Sequence, residues 1–186
     1  LQHNAFRAPG APSIEKLREA PQKVNYLRNI YSNMHRRIIP HTVAIEEHRL
    51  HLLEGLSFIF VCIDGGSSKG KVFQKLESLG IPFIDVGMGL ELTDESLGGI
   101  LRVTTSTPDQ RTHIYEKNRV SLTDKGENDI YASNIQVAEL NALNAAMAVI
   151  KWKKIRGFYR DLEEEYHSTY TTDGNMMINT DFYDES

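Results

Sequence analysis

A chain of 186 residues, 40% apolar and 25% charged, has the material for one domain with a sizeable core, which excludes a chain disordered throughout. Its net charge of −4 with scattered basic residues argues against a nucleic-acid surface, and its apolar runs fall short of the roughly 20 residues of a spanning helix, so neither nucleic acid nor a membrane is an expected partner. A single cysteine excludes an internal disulfide framework and a four-thiolate zinc site, and it fits a reducing, cytoplasmic setting.

Leu1 opens the chain without an initiator Met or lead-in, which suggests further sequence upstream. Ser13 is placed to cap a short helix through Ala20. Pro21 suits the start of the next helix, where Val24, Leu27, Ile30, Tyr31 and Met34 recur at helical spacing and predict a core-facing side. Ile38 to Ile45 reads as a strand that Pro40 confines to an edge. Phe58 to Asp64 is an apolar run ending in a carboxylate and small residues, the pattern of a strand covered on both faces in a parallel sheet. Gly70 to Leu79 follows as a helix closed by Gly80, then Ile81 to Met88 as a second strand.

Gly98 to Thr105 alternates apolar and polar residues, as an antiparallel strand with one wet face does. A long polar loop with a short helix is predicted between Ser106 and Asn128. Ile135 to Trp152, capped by Ser133 or Asn134, is a helix apolar on nearly every side and so expected to be buried. From Thr171 the chain is polar and is expected to wrap the surface or fray. The predicted fold is an α/β, Rossmann-like, mostly parallel sheet flanked by helices with an antiparallel extension, residues 1–160 forming the domain and 161–186 a polar extension.

In open α/β sheets ligands bind at the carboxyl ends of the strands, so Asp64 is the first site candidate. With Asn4, Arg7 and Lys23 it makes an inventory suited to a nucleoside triphosphate: cations and an amide for phosphate oxygens and ribose, a carboxylate for magnesium. Cys62, inside the strand, reads as an inert core residue, since a nucleophilic thiolate needs exposure and an electropositive setting.

The ordered set His3-Asn4-Ala5-Phe6-Arg7, Lys23 opening a helix, Val61-Cys62-Ile63-Asp64 and Ile81-Pro82-Phe83-Ile84-Asp85-Val86-Gly87 resembles the successive motifs of the ThiF/MoeB/ubiquitin-activating superfamily. Asn134 to Ala142 is similar to the closing helix of its bacterial ThiF-type members. The resemblance implies adenylation of a carboxylate by ATP and Mg2+, with Asn4, Arg7, Lys23 and Asp64 holding nucleotide and metal. Lys69 stands where the family has Arg and is by the same resemblance a further nucleotide-binding candidate, and Gly65 stands where the family has Asn. Arg111 and His113 fall in the loop where relatives approach the substrate tail, which makes them possible substrate contacts. The implied partner is the C-terminus of a ubiquitin-like or sulfur-carrier protein, and the implied assembly a homodimer. The family's glycine-rich phosphate loop does not precede Leu1, and its zinc-binding Cys pairs are absent, so no zinc is expected. The alternative is a ThiF-like binding or dimerisation module without turnover.

Overall fold

The computed structural model of the chain describes residues 12–63, 66–122 and 137–183. Five strands form one sheet in chain order: β1 (Ile59–Val61), β2 (Phe83–Thr93), β3 (Ser96–Ser106), β4 (Glu165–Thr171) and β5 (Met176–Phe182). β1 and β2 run parallel, with Val61 level with Asp85, and the other three ladders are antiparallel. The short helices α1 (Ile14–Arg18) and α2 (Lys23–Tyr31) precede the sheet, with Ser13 accepting from the Lys16 N–H as the cap of α1.

The parallel pair is joined by α3 (Ser67–Ser78). Its end is chemically specified: Gly80 takes φ +66°, the Ile81 N–H donates to Leu76 O and the Gly80 N–H to Glu77 O, and the Leu76 and Ile81 side chains are buried together. Neighbouring residues of β2 point to opposite faces, and the two faces carry two cores. Phe83 meets Val72, Phe73 and Leu76 of α3, Leu53 of a 3-10 helix (Glu47–Leu53) and Ile114 of α4 (His113–Glu116). Ile84 and Val103 meet Ala148 of α5 (Ala138–Ile155), with Val86, Met147 and Trp152 packed around them.

Several sequence expectations change. The sheet is mixed: among the described residues only β1 and β2 are parallel, because β2 turns directly into β3 through a two-residue hairpin at Asp94-Glu95. Ile38 to Ile45 forms no strand; Pro40 lacks a ladder donor and Ile39 lies 77% exposed, so neither pairing nor burial favours extension there. β1 is covered unevenly: Val61 is buried, whereas Phe60, edge-on to the Trp152 ring, stays 39% exposed. Cys62 is likewise exposed and fills no core.

The polar face of β3 is buried, not wet, because Arg102 and Thr104 meet buried partners, Asp85 and His167. No residue of α2 is buried, so its apolar stripe lacks the predicted core contact. α5 packs one stripe on the sheet (Asn144, Ala148 and Lys151) and leaves Leu143, Val149 and Ile150 to solvent. Its predicted start at Ile135 and caps Ser133 and Asn134 lie outside the described residues. The polar tail does not fray: Met176 to Phe182 pairs with β4 and completes the sheet.

Candidate functional site

Asn4, Arg7 and Asp64 lie outside the described residues, so the site is built from its neighbours. β1 ends at Val61, and the chain passes through Cys62 and Ile63 toward Asp64 at the carboxyl end of the parallel pair. Level with that end, Asp85 of β2 is fully buried. Two cations converge on it. Lys69, in the first turn of α3, brings its Nζ 2.5 Å from Oδ1, and Arg102 of β3 donates from Nη2 to Oδ2 at 3.2 Å.

Lys69 is itself buried, whereas the Arg102 side chain is 27% exposed, so Arg102 is the cation open to solvent and Lys69 the one enclosed behind it. Gly87 makes this possible: a Cβ there would overlap the guanidinium of Arg102. The Arg102 Nε is buried without a partner.

Lys23 is the exposed first residue of α2. Partial desolvation raises the Cys62 thiol pKa, the Asp85 charge adds to this, and Lys69 and Lys23 oppose it. Both ammonium groups therefore act at the carboxyl end of β1. Exposed as it is, the thiol is shifted away from the thiolate a nucleophile needs. Beside the first turn of α3 a cleft of about 240 Å³ opens, lined by Ser67, Ser68, Glu46, Glu47 and His48 and crossed by a Lys71–Glu47 ion pair at 2.6 Å. Among the described residues no group of three or more His, Cys, Asp or Glu is arranged to hold a metal ion.

Arg111 and His113 do not join this cluster. They follow Ser106, which pairs with Phe83 at the amino end of the β1–β2 pair. Arg111 donates to Thr107 O at 3.0 Å and to Glu77 O at 3.1 Å, tying the loop to the last turn of α3. His113 is buried edge-on against Tyr166, and burial lowers its pKa. It lines a separate cleft of about 450 Å³ with Gln110, Glu116, Lys117 and Asp181. There Asp181 holds Lys117 at 2.6 Å and Arg119 at 2.7 Å; burial alone would raise its pKa, and these two cations bring it down to about 2.

Asp85 and Arg102 went unassigned in the sequence reading. Asp85 lies inside a strand motif, and Arg102 lies on a strand face whose alternation predicts solvent. Their signal was a carboxylate and a guanidinium at in-face positions of adjacent strands.

No family model matches the chain, and no curated protein matches it in sequence. Its fold is similar to that of PaaA, at 14% identity over 87% of this chain and 55% of that one, with a TM-score of 0.54. It is also similar to E. coli MccB, at 14% identity over 87% of this chain and 48% of that one, with a TM-score of 0.57. MccB has also been solved with ATP, and with AMPCPP and MccA, and those structures match equally well, at TM-scores of 0.55 and 0.56. The chain spans about half the length of these neighbours, and at such identity the likeness is one of fold. Among the described residues no helix is long and apolar enough to cross a membrane.

Proposed function

We propose that this chain carries the C-terminal portion of a ThiF-like domain that adenylates the carboxylate of a peptide or protein, with the C-terminus of a ubiquitin-like or sulfur-carrier protein as the substrate. The observation that supports this most is the gathering of Lys23, Lys69, Asp85 and Arg102 at the carboxyl end of the β1–β2 pair. Among the described residues these cations outnumber the one carboxylate, a balance that suits a polyphosphate. A fold shared with a protein solved with ATP agrees with it.

In this reading Arg102 and Lys23 bind phosphate oxygens, while Lys69 and Asp85 are positioning residues that hold the Arg102 fork. By the family resemblance, Asn4 and Arg7 complete the nucleotide contacts and Asp64 holds magnesium, which offsets phosphate charge when bound. A carboxylate oxygen forms a bond to the α-phosphorus, the bond from that phosphorus to the β-bridging oxygen breaks, and pyrophosphate leaves with the electron pair. Catalysis is then positioning plus charge neutralisation. The pairing of two copies belongs to the same reading.

ATP–pyrophosphate exchange on the full-length natural protein tests it. Asp64→Asn keeps the shape and removes the charge facing the metal, so exchange drops by orders of magnitude with folding unchanged. Near-wild-type exchange with unaltered magnesium dependence would reduce Asp64 to a strand-end Asx turn. ATP binding without exchange would leave a binding module.

A further inference from the structure

Asn144 is the amide in the stripe of α5 that packs on the sheet, and it is 5% exposed. Its Nδ2 donates to Gly87 O at 2.8 Å, while its Oδ1 is buried without a partner. A buried amide with one half unpaired is costly where a leucine of similar size would pack, and such local conflicts collect at functional positions. The carbonyl that Asn144 holds belongs to a weakly anchored part of β2. Gly87 and Gly89 have no side chains to pack, and β1 ends level with Asp85, so it offers no residue beside Gly87. Among the described residues no other side chain hydrogen-bonds to the backbone of 87–89.

The other face of the same glycine carries the Arg102 fork. Arg102 pairs with Gly87 across the β2–β3 ladder, its guanidinium overlaps the place a Cβ of residue 87 would take, and its Nη2 reaches Asp85. The guanidinium therefore rests directly on the Gly87 backbone, and in a close-packed interior a shift of that peptide is passed on to it. We infer that Asn144 is a positioning residue for Arg102: from α5, on the far face of the sheet, it fixes the Gly87 peptide and through it the angle at which the fork meets Asp85. α3 thus holds Arg102 from one face through Lys69 and Asp85, and α5 holds the backbone beneath it from the other. The consequence for catalysis rests on the adenylation reading, in which Arg102 binds phosphate oxygens; the link from Asn144 to Arg102 does not.

The test uses the full-length natural protein and two readouts. The first is the Arg102 Nε–H signal in a nitrogen–proton NMR spectrum, assigned by its loss in Arg102→Gln; this group is buried, so its proton exchanges slowly and the signal is expected to be sharp. Asn144→Leu, and the smaller Asn144→Ala that cannot overfill the site, are expected to shift or broaden it, while Leu143→Ala on the exposed side of α5 leaves it in place. The second is ATP–pyrophosphate exchange. Asn144→Leu is expected to lower kcat/KM for ATP about tenfold, as displacing a charged hydrogen bond does, and to change it less than about twofold in an Arg102→Gln background. A residue that only holds the fold costs the same in both backgrounds. An Arg102 signal indifferent to both Asn144 variants, or equal losses of exchange in the two backgrounds, overturns the inference. A wild type without exchange whose Arg102 signal still answers to Asn144 supports the link and removes the adenylation reading alone.

Discussion

Asp85 sits at zero exposure with a lysine on one oxygen and an arginine on the other, an arrangement that is favourable only while all three charges are present. Asp85→Asn leaves the Lys69 ammonium buried without its counter-charge and is expected to cost about 3–5 kcal/mol, read from urea unfolding. Gly87→Ala has a different signature. The added Cβ meets the far end of a flexible side chain, so Arg102 swings off Asp85 at about 1.5–3 kcal/mol, the worth of a hydrogen bond to a charged group. Exchange activity should fall far more than stability does, and a Gly87→Ala protein with wild-type exchange would remove Arg102 from the site. The sequence showed Asp85 and Gly87 inside a motif but not what they do, because the role of each lies in a third residue, Arg102, on another strand. Lys23 was legible as a helix start because that is a local event, while Asp64 lies outside the described residues.

At the level of elements, the glycine stop of α3 could be read to within a residue, since that signal lies within a turn of the feature it specifies, whereas the helix starts at Ser67, three residues before the expected Gly70. The β4–β5 hairpin could not. Its strands are rich in Thr, Ser, Asn and His, and the apolar alternation that marks a strand is replaced by polar pairs, Ser168 with Asn179 at 2.9 Å and His167 with Thr104 at 2.9 Å.

That hairpin carries a pH dependence. Burial and the Arg119 charge lower the His167 pKa to about 4, and burial lowers that of His113 as well. The folded pKa lies below the unfolded one, so the unfolded chain binds more protons between them. The His167 contribution is present above the unfolded value of about 6.5 and is lost as pH falls toward 4, a change on the order of 3 kcal/mol. Urea midpoints at pH 7.5 and 4.5 should show the drop, and His167→Gln should flatten it. Asp161 and Asp181, both lowered to about 2, lose their contributions only at more acid pH and do not blur this window.

In the whole molecule one cleft lies between the 3-10 helix and the first turn of α3 and the other between α4 and the end of β5, while β1 and β5 form the two edges of the sheet. The predicted α/β class is correct, and the sequence misjudged how much of the sheet is parallel. The antiparallel course of β3 agrees with its alternating pattern. The parallel share is smaller because 38–45 forms no strand and 165–182 adds two antiparallel ones, and the turn between β2 and β3 carries none of the Asn-Gly or Asp-Gly chemistry that announces a hairpin. Asp94 and Glu95 both adopt positive φ, at 48° and 64°, without glycine's freedom. Replacing the pair by Asn-Gly is expected to stabilise the protein by about 1 kcal/mol.

The same turn sets the order of assembly. The β2–β3 pairing closes over two residues, whereas β3 reaches β4 across more than sixty positions, Thr104 to His167. Loop closure makes the near contact fast and the distant one slow, so residues 83–106 should form first, on the microsecond scale of an isolated hairpin, and the last two strands should dock onto a finished template. Pulse-labelled hydrogen exchange during refolding would then protect amides of 83–106 in the earliest phase and those of 165–182 in the last, and the Asn-Gly turn would accelerate the first phase alone.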